Sequence, residues 1–150
     1  MSAANVRDFL DTFTARRQQC RALLELSRQQ HELIGNDDYD KLLVVLGQKQ
    51  RILVRLEEMK TRHDDFMTQW KSQRGTLDPE TRDDCDHILA ETETILLELI
   101  GEENDSTKQI IRRRDAAHSQ LRLLADGQRV NRAYHDSLAP ATNRHLDVNR

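Results

Sequence analysis

The sequence predicts an all-α protein, an elongated antiparallel three-helix bundle of coiled-coil character with a long C-terminal helix extending beyond it. Three observations carry the prediction. Tyr39, Leu42, Leu46, Lys49, Leu53, Leu56, Lys60, His63, Met67 and Trp70 recur at alternating spacings of three and four, the period of a helix laid along partner helices. Helix breakers are sparse, with proline only at 79 and 140 and glycine only at 35, 47, 75, 101 and 127. The 150 residues are 37% hydrophobic and 33% charged, low in apolar content for a compact globule but ordinary for elongated helices.

A first helix is expected over about residues 4–34. Val6, Phe9, Phe13, Cys20, Leu23 and Ile34 share one face, and Arg16, Ser27 and Gln30 interrupt the same row. Gly35-Asn36-Asp37-Asp38 then supplies a helix stop, turn residues and an acidic N-cap within four positions, which makes a tight antiparallel turn.

The second helix is expected over 39–72. Beside its main row runs a second one, Val45, Ile52, Met59 and Phe66, so this helix touches at least two others. Lys49, Lys60 and His63 interrupt the main row, and because Lys60 and His63 share a heptad, packing should be loosest there.

Leu77-Asp78-Pro79-Glu80 is the clearest helix start: Asp78 can cap the orphan amides, Pro79 fits the first turn, and Glu80 suits the positive helix end. The third helix is expected over 79–134, carrying Cys85, Ile88, Leu89, Leu96, Leu99, Ile110, Ala117, Leu121 and Leu124. Its middle, Gly101 to Thr107, is polar. Ser106 and Gln109 have capping-box spacing and could restart a fourth helix, but Glu103 and Ser106 keep the heptad phase from Leu99 to Ile110, which favours one continuous or kinked helix.

Charge supports a hairpin of the second and third helices. Residues 76–105 hold eleven acids and one base, whereas 49–74 hold seven bases and four acids. A symmetric fold-back sets Lys60 roughly opposite Glu91 and Lys49 roughly opposite Glu102. Exposed pairs contribute only about 0–1 kcal/mol each, so they set register more than stability.

The lengths then divide the chain into a helical bundle, 1–135, and a flexible tail, 136–150. A second helix of about 50 Å leaves residues 113–134 without a partner of equal length, an overhang of about 30 Å. It holds Leu121, Leu123, Leu124, Val130 and Tyr134 with Arg113, Arg114, Arg122, Arg129 and Arg132 among them. An apolar row without an internal partner either packs on its own chain or a second protomer, or is kept for another protein.

Charge and composition restrict the function. A net charge of −3 argues against general nucleic-acid binding. No apolar run approaches a membrane span and no secretory leader is evident, so the chain reads as cytoplasmic. Cys20 and Cys85 fall on apolar stripes and read as structural thiols. Asp84/His87 and Asp115/His118 each have ligand spacing but lie 31 residues apart on one helix, and the facing helix offers cations, so neither metal nor cofactor is expected. With no nucleophile motif and no phosphate loop, the chain reads as a non-enzyme.

Leu23-Leu24-Glu25-Leu26, Leu33-Ile34, the turn Asn36-Asp37-Asp38, and Leu42-Leu43, Lys49-Gln50-Arg51-Ile52-Leu53 and Leu56-Glu57 resemble the FlgN and FliT group of flagellar type III export chaperones. Arg112-Arg113-Arg114-Asp115, Leu121 to Gly127, and Asn131-Arg132-Ala133-Tyr134 extend the resemblance over roughly residues 5–135, with Gly127 and Ala133-Tyr134 its least generic part. The resemblance implies a small cytosolic helical chaperone that holds a hook-associated or filament-cap protein before export, often through its C-terminal helix. On this reading Leu121, Leu124, Val130 and Tyr134 capture a client helix and arginines such as Arg114 and Arg122 orient it, with a homodimer as a further possibility. The alternative is a structural coiled-coil protein that self-associates.

Overall fold

The computed structural model describes residues 6–138, all of them in helices, turns and short connections. Helix α1 is Val6–Gly35, α2 is Tyr39–Gln73, a 3-10 turn spans Arg74–Thr76, and α3 is Pro79–Leu138. The chain is an all-α bundle. Contacts divide it after Gln109 into two units, 1–109 and 110–150. Residues 4 and 5 of the expected first helix, and 139–150 of the expected tail, lie outside the described residues.

The first turn is built as expected except for the residue that reverses the chain. Gly35 remains inside α1, and Asp37 takes the left-handed conformation at φ 56°. Two bonds close a helix-terminating motif, Asp38 N–H to the Leu33 carbonyl at 3.0 Å and Asp37 N–H to the Ile34 carbonyl at 3.2 Å. Aspartate tolerates this conformation better than most residues because its short polar side chain can bond locally, and here Asp37 Oδ1 accepts from the Tyr39 hydroxyl at 3.1 Å. Asp38 caps α2, accepting from Lys41 N–H at 3.3 Å.

Gly35 has another use. A Cβ there would come within 3.2 Å of the Gln109 side-chain amide. With that amide turned to satisfy both groups, its nitrogen donates to the His31 carbonyl and its oxygen accepts from Gly35 N–H, each at 3.2 Å. The smallest residue lets α3 approach the end of α1 and brace it.

At the other turn, Asp78 caps α3 by accepting from Thr81 N–H at 3.3 Å, with Pro79 as the first helical residue. The hydrogen bonds from Thr81 hold the Asp78 carboxyl below its ordinary range. Helix α3 then runs without interruption through Gly101 to Thr107.

The core of the first unit is layered. Where α1 begins, α2 ends and α3 starts, Phe9, Phe13, Trp70, Cys85 and Ile88 form a buried cluster joined by Phe66. All three phenylalanines and the only tryptophan of the chain meet here. Phe9 and Phe13 each meet Trp70 edge to face at centroid distances of 5.5 and 5.7 Å, the arrangement aromatic quadrupoles favour. A smaller layer follows, Cys20, Leu24 and Ile95 with Leu56, Leu96 and Leu99 around it.

Beyond it the core becomes polar. Lys49, only 8% exposed, reaches Gln30 Oε1 and Glu103 Oε1, and Ser27 Oγ donates to the same Glu103 oxygen at 2.7 Å. All three helices contribute. Burial raises the Glu103 pKa, but the hydrogen bonds from Lys49 and Ser27 and the Lys49 charge outweigh it, so the net shift is downward.

This layer corrects the sequence-derived register of α2. Its packed seam is Val45, Lys49, Ile52, Leu56, Met59, His63, Phe66 and Trp70, so the row expected to be secondary supplies half of the seam. Tyr39, Leu46, Leu53 and Lys60 are exposed on its flank. The expected main row and the observed seam share Lys49, Leu56, His63 and Trp70, and periodicity alone does not choose between them; the contacts of Lys49, Phe66 and Trp70 do.

The charge pairing is also redistributed. Lys49 meets Glu103, one residue from the expected position, but Glu91 pairs with Arg17 at 3.0 Å and with Arg21, both from α1, rather than with Lys60. Arg28 of α1 pairs with Glu98 at 3.0 Å. Arg74 holds Asp86 through its Nε at 3.1 Å.

Replacing Lys49 with alanine leaves Glu103 and Gln30 without their cation and should cost about 1–3 kcal/mol in urea unfolding. The double change Lys49→Met with Glu103→Leu should recover most of that loss. Because the folded Glu103 pKa lies below its ordinary value of 4.5, its contribution is complete above that pH and is lost as pH falls through the lower folded value. Urea titrations at pH 7 and pH 3 should show the loss in the wild type and a smaller one in Glu103→Gln.

Candidate partner-binding surfaces

The first unit has cavities that could hold a ligand. The expected loose heptad is open: a cavity of about 330 Å³ is lined by Arg16, Cys20, Leu56, Met59, Lys60 and His63, among others. Burial lowers the His63 pKa, the nearby Arg16 charge lowers it further, and Asp64 partly opposes them. Its Nδ1 is buried without a hydrogen-bond partner among the described residues, and its ring meets Phe13 edge to face at 6.1 Å. Burial raises the Cys20 pKa and the nearby Arg16 charge partly opposes it, so the surroundings disfavour the thiolate.

Leu43, Val44, Leu53 and Val54 of α2 and Leu97 and Ile100 of α3 are also exposed. Sequence reasoning missed these residues because Leu53 falls in the row expected to be core and the others in neither row. The signal was present in the heptad positions left over once the seam is fixed.

The second unit is a helix from Ile110 to Leu138. Its apolar side chains are open: Leu121 is 63% exposed, Leu124 64%, Val130 70% and Tyr134 61%. Leu123 and Leu138 are equally open. Arg114, ion-paired to Asp115 at 3.7 Å, and Arg122 are exposed as well. Arg129 pairs with Asp126 at 3.8 Å.

A helix turns about 100° per residue, which sorts these side chains. Leu123, Leu124, Gly127, Val130, Tyr134 and Leu138 fall within one stripe about 120° wide. Leu121 lies about 60° outside it and about 180° from Val130. Arg114, Arg122, Arg129 and Arg132 occupy the opposite side. The helix therefore brings Leu124, Val130 and Tyr134 together, sets Leu121 at the border, and separates Arg114 and Arg122 from the stripe.

A long amphipathic helix with an open apolar stripe and a polar opposite face is a surface for taking up another helix. The FlgN protein family matches residues 1–144, nearly the full length and including this helix. The chain belongs to the FlgN family. Members of that family are flagellar export chaperones, and the bundle with its open stripe accords with this class. Neither a curated protein nor a solved structure shows significant similarity to the chain. No helix among the described residues is long and apolar enough to cross a membrane.

Among those residues no three His, Cys, Asp or Glu side chains are grouped to hold a metal ion. His87 lies 3.6 Å from Glu91, which is engaged by Arg17 and Arg21.

The two cysteines are free and buried, and desolvation together with Asp84 and Asp86 pushes the Cys85 thiol up to about 11. At pH 8 roughly 0.1% of it is thiolate, so Ellman's reagent should react with neither thiol in the folded protein at an appreciable rate. Two equivalents should react promptly in denaturant. Fast native reaction at Cys20 would show that the cavity beside it admits solutes freely.

Proposed function

We propose that this FlgN-family protein is a non-enzymatic chaperone acting in the cytosol, where it holds a flagellar hook-associated or filament-cap client before type III export. The observation that carries this reading is the exposed apolar stripe of residues 110–138, on a helix that the family match includes. Leu124, Val130 and Tyr134 receive an amphipathic helix of the client, with Leu121 at the border. Arg114 and Arg122, on the far side, act through the field of the segment, steering an acidic client toward it rather than touching it.

Self-association through the same stripe is the competing reading, favoured by the number of large apolar side chains left open. Co-expression of the chain with each hook-associated and filament-cap protein of its own flagellar system, followed by purification and sedimentation, separates the two. A one-to-one complex with one of these proteins, lost on Leu124→Asp with Val130→Asp, supports the chaperone. A stable homodimer that the same changes dissociate, with no client bound, supports self-assembly and overturns it.

A further inference from the structure

Gly127 lies in the interior of α3, where glycine weakens a helix relative to alanine. Among the described residues nothing accounts for it. A Cβ at Gly127 would meet nothing within 4 Å, whereas at Gly35 it would press on Gln109. Nor is Gly127 at a turn, since no glycine has a positive φ among the described residues.

Its neighbours give the reason. Leu123 and Leu124 stand one turn before it, Val130 one turn after, and Tyr134 two turns after, all exposed. The missing side chain is a notch at the centre of an apolar frame. Gly47 and Gly101 also have open space around them, but Gln50 and Arg51 follow the first, and Glu98, Asn104 and Asp105 surround the second. Gly47 has Leu43 and Val44 one turn before it and Val54 two turns after, so what sets Gly127 apart is Val130, an apolar side chain one turn after it.

We propose that Gly127 is the close-approach point of the client-binding surface: a bulky apolar side chain of the client helix, leucine or larger, seats over it within the frame of Leu123, Leu124, Val130 and Tyr134. Small residues at helix contacts let two backbones come together, and a knob enters the hole formed by its four neighbours. Charge gives the occupant a direction. Arg112 borders the same side about four turns before Gly127, so the client helix carries an acidic group about 20 Å from its apolar knob. The inference rests on the chaperone reading and specifies how that surface selects its partner.

The test uses the full chain and the flagellar protein that co-purifies with it. Filling the notch with Gly127→Ala or Gly127→Leu should raise helix content and thermal midpoint, because each replaces glycine in an open helix. Affinity should nevertheless fall, by about tenfold or more for the leucine variant, as expected for overpacking a fitted contact. Gly101→Leu, the size-matched control, should leave affinity unchanged, and Arg112→Glu should weaken binding most at low salt. If Gly127→Leu binds as tightly as the wild type, the notch is unused and the inference falls while the chaperone reading stands. If Gly127→Leu instead disrupts a homodimer with client affinity unchanged, a second copy is the occupant and the inference is wrong. If no flagellar protein binds the wild type, both fall together.

Discussion

The contact on which the bundle depends is the buried ammonium of Lys49 held between Gln30 of α1 and Glu103 of α3. Apolar layers tolerate small slips along and around a helix, because one leucine substitutes for another at modest cost. A buried cation does not, since a slip of one residue leaves it desolvated and unpaired. The layer therefore fixes α2 against both other helices at once. It selects Val45, Ile52, Met59 and Phe66 as the packed row, and leaves Leu46 and Leu53 outside.

The remainder of the first unit follows from that choice of register. With Lys49 at Glu103, Trp70 reaches the level of Cys85 and Ile88, and the aromatic residues of α1 close around it. Gln109, two turns beyond Glu103, arrives at the open end of α1 and braces His31 and Gly35. The arginines of α1 meet the acids of α3, so the acidity of residues 76–105 is spread over both neighbours rather than spent on α2 alone.

Much of the remaining apolar surface is open. A protein that only needed to be a stable bundle would gain by replacing Leu43, Leu97, Leu123 or Val130 with polar residues, which would cost little stability and remove an aggregation hazard. Their exposure is intelligible if the molecule binds extended helical partners.

Sequence alone determined the helices, their turns and the family. The Asp38 and Asp78 caps, Pro79 at the first helical position and the uninterrupted phase from Leu99 to Ile110 act within a few residues, so they can be read locally. The same holds for the exposed leucines of residues 121–124, whose period needs no partner to be seen. Tertiary structure alone decided which of two rows on α2 is core, which cations meet Glu91, and that Asp37 rather than Gly35 reverses the chain. Each of these depends on groups distant in sequence: Lys49 has its partners 19 and 54 residues away, and the small size of Gly35 answers to Gln109. Heptad periodicity says that a stripe exists, but two stripes sharing every seventh residue are degenerate until a buried charge finds its partners.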